Sequence, residues 1–128
     1  MLTVKRFEFC YGHFLPDYQG KCKNQHGHNA VLEVTVRISN QEGLENDLDG
    51  GMIIDFSELK NKVLLIIEKV DHQNLNIILP FHYLPPTVEN FICWFRDEIG
   101  MILPSYVYLV GLRLSETPDC WAEWVEEK

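Results

Sequence analysis

The stretch N-A-V-L-E-V-T-V-R-I, from Asn29 to Ile38, has the clearest alternation of apolar and polar residues in this chain. Successive side chains of a strand point to opposite faces, so alternation of apolar and polar residues is typical of a strand with one covered face and one solvated face. The apolar face here is formed by Ala30, Leu32, Val34, Val36 and Ile38. The sequence therefore predicts a half-buried strand.

Two histidines lie just before this strand and share the parity of its apolar face. His26 and His28 belong to the segment K-C-K-N-Q-H-G-H-N, from Lys21 to Asn29, which also contains Cys22. Neutral imidazole is a common zinc ligand, and three protein ligands hold a catalytic zinc ion with a fourth position open. The alternative is a polar strand edge that binds no metal, but the nearby thiol favours the metal hypothesis. A zinc site would need a third ligand from elsewhere in the chain.

The beginning of the chain predicts another strand, from Leu2 to Phe9, because it is rich in β-branched and aromatic residues and lacks a helical period. Phe9, Tyr11 and His13 share one parity. If the strand continues to His13, that imidazole lies on the same face as several aromatic rings. Taken alone, these residues favour a half-buried histidine that is hydrogen-bonded to the backbone.

Helical periodicity occurs twice in the second part of the chain. A short apolar strand is predicted from Met52 to Phe56, and Asp55 is expected to begin a helix whose apolar residues recur as far as Val70. Thr87 is the predicted N-cap of a second helix, which Gly100 ends. Both helices have one apolar face, which indicates that they pack on a core.

The remaining segments complete the predicted sheet. Residues 39–51 are polar and rich in glycine and acidic side chains, which predicts a long hairpin connection. Two further strands are predicted, from Tyr106 to Leu114 and from Cys120 to Glu126. This order of elements predicts an α+β fold with an antiparallel four-stranded sheet and two helices on one face. We expect residues 1–128 to form one domain.

Composition excludes several classes of protein. A net charge of −8 argues against binding to a nucleic-acid backbone, since such binding depends on Lys and Arg. No apolar run reaches the roughly 18 residues of a membrane helix, and charged residues interrupt any signal-peptide core near the start. We therefore predict a cytoplasmic protein with no membrane partner. The four cysteines lack a CxxC pair and are predicted to be free thiols.

Several ionisable residues are candidates for chemistry outside the histidine pair. Asp71 precedes His72, and a carboxylate can hold an imidazole in one tautomer; the alternative is a polar helix C-cap. Glu116 has the parity of the apolar face of its strand, where a carboxylate must be paired or bind a ligand. Glu89 falls in the first turn of the second helix, where the helix dipole alone could account for it. His82 is predicted to be an exposed loop residue.

Six short motifs occur along nearly the whole chain in a defined order. They are Phe9-x-x-x-His13, Cys22-x-x-x-His26-Gly27-His28, Gly51-Met52-Ile53-Ile54-Asp55-Phe56, Asp71-His72 with Leu75-Asn76, Pro86-Thr87-x-Glu89-Asn90, and Glu116-Thr117. Each motif is modest alone, but the combination closely resembles the 6-pyruvoyl-tetrahydropterin synthase family. The resemblance implies a tunnelling fold, in which protomers join their sheets into a trimeric barrel and two trimers stack as a homohexamer.

The resemblance also implies roles for individual residues. It implies Zn²⁺ as the cofactor and a pterin triphosphate as the small-molecule substrate. The implied zinc ligands are His13, His26 and His28. The implied proton-transfer group is Cys22, Asp71 and His72, and the implied pterin anchors are Thr87, Glu89 and Glu116.

Within that family, the three residues between Cys22 and His26 and the short chain resemble the bacterial branch that makes 6-carboxy-5,6,7,8-tetrahydropterin in the queuosine pathway. Relatives often have Arg and Leu after the first zinc histidine, whereas this chain has Phe14, so Lys21 or Lys23 is expected to replace the usual basic contact. Tyr11 also replaces a small residue. A 6-pyruvoyl-tetrahydropterin synthase or related pterin lyase, and a non-catalytic zinc and pterin-binding module, remain alternatives.

Overall fold

The computed structural model describes residues 1–38 and 51–127 of the chain. Within these residues a five-stranded sheet has the order β3-β1-β2-β4-β5, with two α-helices on one face. The strands are β1 (Thr3–His13), β2 (His26–Ile38), β3 (Gln73–Asn74), β4 (Val107–Thr117) and β5 (Cys120–Val125), and the helices are α1 (Phe56–Ile67) and α2 (Val88–Ile102). The predicted α+β class is confirmed. The sheet has one strand more than predicted, because β3 pairs with β1 in parallel.

The long hairpin-like pair β1 and β2 determines where the histidines lie. The two strands are antiparallel, and their register places His13 opposite His26 and Tyr11 opposite His28. Directly opposed residues of antiparallel strands have side chains within about 4.5–5.5 Å at Cβ. The first strand thus continues beyond its predicted end at Phe9 to His13, and this brings together histidines that are separated in sequence.

The core lies between the sheet and the helices. The face of β2 predicted to be apolar is buried, as is the face of β1 that carries Phe9 and Tyr11. Phe91 of α2 packs edge-on against both of these rings, at centroid distances of 5.9 and 5.0 Å. Phe81, from the loop before α2, packs against Phe91 at 5.5 Å. Aromatic packing thus supports the end of β1 that carries His13.

Both helices begin at the predicted caps. The Asp55 carboxylate accepts a hydrogen bond from the Ser57 amide at 2.7 Å, and the Thr87 hydroxyl accepts one from the Asn90 amide at 3.1 Å. The short strand predicted from Met52 to Phe56 is wrong. Its isoleucines are buried, but Asp55 caps the helix and Phe56 is already the first helical residue. A short apolar run that is buried therefore does not by itself indicate a strand.

Helix ends differ slightly from the predicted limits. The first helix ends at Ile67 and continues as turns to Val70, whereas the second runs two residues beyond Gly100 to Ile102. Glycine costs only about 1 kcal/mol relative to alanine inside a helix, so Gly100 alone did not end it.

Two irregularities in the pairing of β4 change which of its side chains are buried. Between the pairs Thr35↔Gly111 and Val36↔Leu109 the register shifts at Val110. As a result Val107 is buried, whereas Tyr108 is exposed, opposite to the predicted alternation. A second shift lies between Ser115 and Thr117, and it encloses Glu116. Such bulges redirect side chains and are common beside functional sites.

The connection predicted over residues 39–51 lies outside the described residues, except for Gly51. Among the helices that the structure describes, none is long and apolar enough to cross a membrane.

Candidate active site

Three imidazoles meet where β1 ends and β2 begins. His13, His26 and His28 each offer a ring nitrogen, and these nitrogens all lie within 4.8 Å of one another. The ring centroids are separated by 4.5 to 4.9 Å. The antiparallel register produces this arrangement, because His13 faces His26 directly and His28 follows two residues later on the same face of β2. The structure thus brings together all three predicted metal ligands.

Backbone carbonyl groups fix the orientation of two of these rings. Nδ1 of His13 lies 2.8 Å from the carbonyl oxygen of Pro86, and Nδ1 of His26 lies 2.8 Å from that of Asn24. A carbonyl oxygen can only accept, so each Nδ1 carries the hydrogen and each Nε2 keeps a free lone pair. Metal-binding histidines are usually held by their second nitrogen in this manner.

The Nε2 atoms of the three rings converge on one point. Nε2 of His26 is buried and, among the described residues, has no hydrogen-bond partner. Nε2 of His28 and Nε2 of His13 are 3.1 Å apart. A buried unpaired acceptor costs about 1–3 kcal/mol, and a metal ion would remove that cost. The donor set, three neutral imidazoles, is also one that zinc accepts in catalytic sites. The residues therefore fit a zinc ion.

Burial favours the neutral form of two of the rings. The side chain of His13 is only 2% exposed, and its pKa lies below the usual value chiefly because burial penalises the charged imidazolium. Burial likewise lowers the pKa of His28, although the carboxylate of Glu116 opposes the shift. Neutral imidazole is the form that binds metal, so burial favours the metal-binding form of these two rings already in the metal-free protein.

Glu116 lies against the histidine cluster. Its carboxylate oxygens are 3.8 Å from Nε2 of His13 and 3.9 Å from Nε2 of His28, and its side chain is 24% exposed. The hydroxyl of Tyr11 donates to the same carboxylate at 3.4 Å. The pKa of Tyr11 is raised strongly, first by burial and then by Glu116, so the phenol stays protonated as a donor. Glu116 was predicted to lie on the buried face of its strand. In the structure it lies in the bulge of β4, and its side chain is partly exposed.

A second group of ionisable side chains forms beside β1. Nδ1 of His72 lies 2.8 Å from Oδ1 of Asp71, as the adjacent pair in sequence suggested. Nε2 of the same ring lies 3.4 Å from Sγ of Cys10. The family resemblance implied that the thiol acting with this pair is Cys22. Cys10 was overlooked because it lies on a strand, without a motif of its own.

The other predicted residues lie apart from these two groups. Cys22 is half-buried in a 3-10 turn, Lys21–Lys23, and within the described part of the chain its thiol makes no hydrogen bond to Asp71 or His72. Thr87 caps α2, directly after the Pro86 carbonyl that holds His13. Glu89 is exposed in the first turn of α2.

One cavity connects the two groups. It has a volume of about 500 Å³, and His26 and His28 line it together with Cys10 and His72. Amide side chains complete its polar lining: Gln25, Asn29, Gln73 and Asn74. A cavity of this volume is large enough for a small organic molecule. It is therefore the candidate substrate site.

Comparison with known proteins identifies the fold and the family. The model of the 6-pyruvoyl tetrahydropterin synthase family matches residues 2–127. The solved structure of 6-pyruvoyl tetrahydropterin synthase from Caenorhabditis elegans superposes with a TM-score of 0.80 at 24% identity, over 99% of this chain and 96% of that chain. The two-helix, mixed-sheet architecture is thus that of these synthases.

Relatives of known sequence have several names. The 6-carboxy-5,6,7,8-tetrahydropterin synthase of Rickettsia bellii is 29% identical, over 94% of this chain and 96% of its own length. The dihydroneopterin monophosphate aldolase of Pyrococcus furiosus is 36% identical, over 71% of this chain and 69% of its own length. The 6-pyruvoyl tetrahydrobiopterin synthase of Drosophila melanogaster is 34% identical, over 77% of this chain and 58% of its own length. The chain is therefore an enzyme of the 6-pyruvoyl tetrahydropterin synthase family.

Proposed function

We propose that this protein is a zinc-dependent 6-carboxy-5,6,7,8-tetrahydropterin synthase in the queuosine (7-deazaguanine) pathway. It would convert 7,8-dihydroneopterin triphosphate to 6-carboxytetrahydropterin and release acetaldehyde and triphosphate. The observation that carries this proposal is the cluster of His13, His26 and His28, with its buried, unpaired Nε2 atom. The match to a 6-carboxy-5,6,7,8-tetrahydropterin synthase over nearly the full length of both chains supports this product over the others.

The three histidines would hold the zinc ion through their converging nitrogens. When bound, zinc supplies Lewis-acid polarisation of the substrate side chain, which makes its hydroxyl and adjacent C–H groups more acidic. Three protein ligands leave room for the substrate, so neither Cys22 nor Cys10 is needed to complete the site.

Two proton-transfer groups are proposed. Cys22 is the general base, because a thiolate near a cation is favoured and Cys22 lies four residues before His26. His72 is the complementary proton donor or acceptor, and Asp71 orients it through the 2.8 Å contact at Nδ1. Cys22 makes no bond to this pair within the described chain, so the proposal requires substrate, or a neighbouring protomer, to bring the two groups to one reaction.

Glu116, Thr87 and Glu89 are proposed to anchor the pterin ring. The partly exposed carboxylate of Glu116 retains acceptor capacity beyond its contact with Tyr11, and can accept two hydrogen bonds from the amino and ring N–H edge of a pterin. Thr87 and Glu89 begin α2, whose first residues lie next to the His13 contact at Pro86. These anchors would hold the ring beside the metal.

The triphosphate needs a basic contact, because the chain as a whole is acidic. Phe14 stands where relatives often have Arg. Its backbone amide donates to the side chain of Asn76 and its carbonyl oxygen accepts from it, so Phe14 offers no basic group. Lys21 and Lys23 are both exposed on the 3-10 turn before the histidine pair. We propose that they bind the triphosphate, so that replacing both by Ala raises KM for the triphosphate and leaves zinc content unchanged.

The proposed protein is a cytoplasmic, single-domain homohexamer built as a dimer of trimers, with active sites between protomers. Among the described strands, β5 is an edge of the sheet, and its exposed side chains include Trp121 and Val125. Edge strands with apolar side chains need a partner, and joining of sheets would supply one. Sedimentation of a fully active monomer at micromolar concentration would contradict this assembly. We propose no nucleic-acid or membrane partner.

The test of the proposed reaction is incubation of the purified, zinc-loaded protein with 7,8-dihydroneopterin triphosphate, followed by mass spectrometry. We expect 6-carboxytetrahydropterin and acetaldehyde. Formation of 6-pyruvoyl-tetrahydropterin would instead identify a pyruvoyl-forming synthase, and normal zinc and pterin binding without turnover would identify a binding module.

A second candidate is a pterin lyase of the aldolase type. It is favoured by the relative from Pyrococcus furiosus, named as a dihydroneopterin monophosphate aldolase, which has the higher identity over a shorter length. Such an enzyme would act on the monophosphate. Presenting the protein with the monophosphate in the same assay separates the two candidates.

A further inference from the structure

Cys10 forms a compact group with Asp71 and His72 that the motifs of the chain do not assign. Sγ of Cys10 is 3.4 Å from Nε2 of His72, and Nδ1 of that ring is 2.8 Å from Oδ1 of Asp71. The carboxylate accepts the Nδ1 hydrogen, so the neutral ring has its lone pair at Nε2, facing the thiol. The imidazole thus contacts both the thiol and the carboxylate, and Sγ itself lies 3.9 Å from Oδ1 of Asp71.

Backbone contacts hold this group in place. The amide of Cys10 donates to Oδ1 of Asp71 at 3.1 Å, and the amide of His72 donates to the carbonyl oxygen of Cys10 at 2.7 Å. His72 has a φ angle of +60°, in the left-handed region that a residue with a side chain rarely adopts. β3 then begins at Gln73 and pairs with β1. Several contacts between β1 and residues 71–72 therefore offset the backbone strain at His72. They hold its ring beside the thiol.

The group is open to small molecules on two sides. Cys10 and His72 line the 500 Å³ cavity that also contains His26 and His28. The same two residues, with Asp71, line an adjacent cavity of about 410 Å³. The side chain of His72 is 76% exposed, so the imidazole is accessible while its Nδ1 remains bonded.

A metal ion is a poorer explanation of this group than proton transfer. Oδ1 of Asp71 already accepts hydrogen bonds from the amide of Cys10 and from His72. A ring nitrogen, the sulfur and a carboxylate oxygen of these residues lie within 4.8 Å of one another, but a metal bound through Oδ1 would compete with those two hydrogen bonds. Zinc in proteins normally has at least three protein ligands. The arrangement matches that of a thiol with a base and an orienting carboxylate.

We propose that Cys10, His72 and Asp71 form a proton relay within one protomer, with Cys10 as a reactive thiol. The proton moves from Sγ of Cys10 to Nε2 of His72, and leaves a thiolate paired with an imidazolium that the Asp71 carboxylate stabilises. Return of the proton restores the thiol, or its delivery from Nε2 to substrate leaves the thiolate to take the next proton. The role in turnover rests on the proposed function; the reactivity of the thiol does not.

Two carboxylates lie near the thiol. That of Asp71 is the closer, with Oδ1 3.9 Å from Sγ, and it is also bonded to His72. Glu8, two residues earlier on β1, lines the smaller cavity, whereas β2 presents the uncharged Asn29 and Val31 to it. Glu8 is exposed and therefore screened by solvent. The nearest ionisable partner of Cys10 is His72.

The first test measures alkylation of each cysteine in the zinc-loaded protein by iodoacetamide at pH 7, using peptide mass spectrometry. An ordinary thiol is only a few per cent thiolate at this pH, so we expect Cys10 to react roughly ten-fold faster than the exposed Cys120. His72→Gln should remove this advantage, whereas His82→Gln, in an exposed loop, should not. Equal rates for Cys10 and Cys120 in the unaltered protein, or no effect of His72→Gln, would overturn the relay.

The second test measures turnover and metal content of Cys10→Ser. We expect kcat to fall by roughly 10²-fold, the lower range for a lost acid–base group, with KM and zinc content unchanged. Unaltered kcat would overturn the role in turnover, and loss of a second equivalent of zinc would show a metal site instead. If the unaltered protein does not turn over the triphosphate, while Cys10 shows the fast, His72-dependent alkylation, the proposed function fails and the reactive thiol stands.

Discussion

The histidine cluster and the Cys10 group lie on opposite faces of one strand, yet they are built differently. His13 and Tyr11 point to the covered face of β1. Cys10 has the opposite parity and points to the other face. The cluster is fixed by the long antiparallel pairing of β1 and β2. The Cys10 group is fixed by a turn after α1 and by a strand of two residues.

This difference separates two kinds of chemistry. The cluster buries neutral rings with unused lone pairs, which suits a stable cation site. The group at Cys10 exposes an imidazole whose hydrogen bonds are already made, which suits movement of a proton. Because one cavity is lined by both, substrate can contact a fixed metal site and an accessible proton-transfer site together.

The largest effect is expected from removing a ligand of the cluster. His26→Ala should reduce bound zinc from about one per chain to background and abolish turnover, because only two protein ligands remain. Zinc content is measured by atomic absorption on the purified variant. His82→Ala, in an exposed loop, is the matched control and should keep both properties. Equal zinc in the two variants would refute the cluster as the metal site.

A smaller effect is expected from the predicted general base. Cys22→Ala should keep zinc, assembly and substrate binding, while turnover falls by roughly 10²–10⁴-fold. Steady-state kinetics with the triphosphate measure the loss. Cys120→Ala, which removes an exposed thiol outside the cavity, should remain active. Loss of zinc in Cys22→Ala would mean that this thiol is a ligand, and near-normal turnover would mean that it has no acid–base role.

The cap of α2 offers an effect of about 1 kcal/mol. Thr87→Ala removes the hydroxyl that accepts from the Asn90 amide, and a lost N-cap costs about 0.5–2 kcal/mol of the free energy of unfolding. Urea denaturation measures the change. Thr87→Ser retains a hydroxyl and should recover most of the stability. If the two variants are equally destabilised, the cap hydrogen bond is not the cause.

The smallest effect concerns pH in the zinc-free protein. Burial lowers the pKa of His13 and His28 in the folded state, while Glu116 partly opposes it. The unfolded chain then binds more protons than the folded one as the pH falls below the ordinary histidine pKa of about 6.5. Stability should therefore be full above that pH and decline below it. Urea denaturation at pH 7 and pH 5 should show a smaller decline for His13→Gln; an identical decline would contradict a contribution from His13.

The sequence correctly predicted those elements whose local pattern agrees with the contacts they make in the fold. Alternation along β2 gave its buried face, and the caps Asp55 and Thr87 gave the helix starts, because a cap is a local hydrogen bond. The shared parity of His26 and His28 already indicated one face. Only the family resemblance identified His13 as the third ligand, since the pairing that places it opposite His26 is not local.

The missed features depend on contacts that leave no periodic trace. β3 has only two residues, so neither alternation nor composition marks it. The bulge at Val110 reverses the parity of Tyr108; the adjacent Gly111 is a sequence signal for it, since glycine inside a strand often marks a bulge. Cys10 meets His72 across 62 positions, through the same two-residue pairing. The family motif therefore points to Cys22 as the proton-transfer thiol, whereas the fold places another thiol, that of Cys10, against His72.

X-ray absorption at the zinc edge of the zinc-loaded protein shows directly whether the zinc is bound by the histidines on one side of β1 or by a thiol, because nitrogen and sulfur ligands lie at different distances. We predict a single zinc environment with three imidazole nitrogens at about 2.0–2.1 Å, an oxygen ligand such as water in the fourth position, and no sulfur. A sulfur shell at about 2.3 Å would contradict it, since the metal would then be bound by Cys10 or Cys22 and the assigned separation of metal site and proton relay would be wrong.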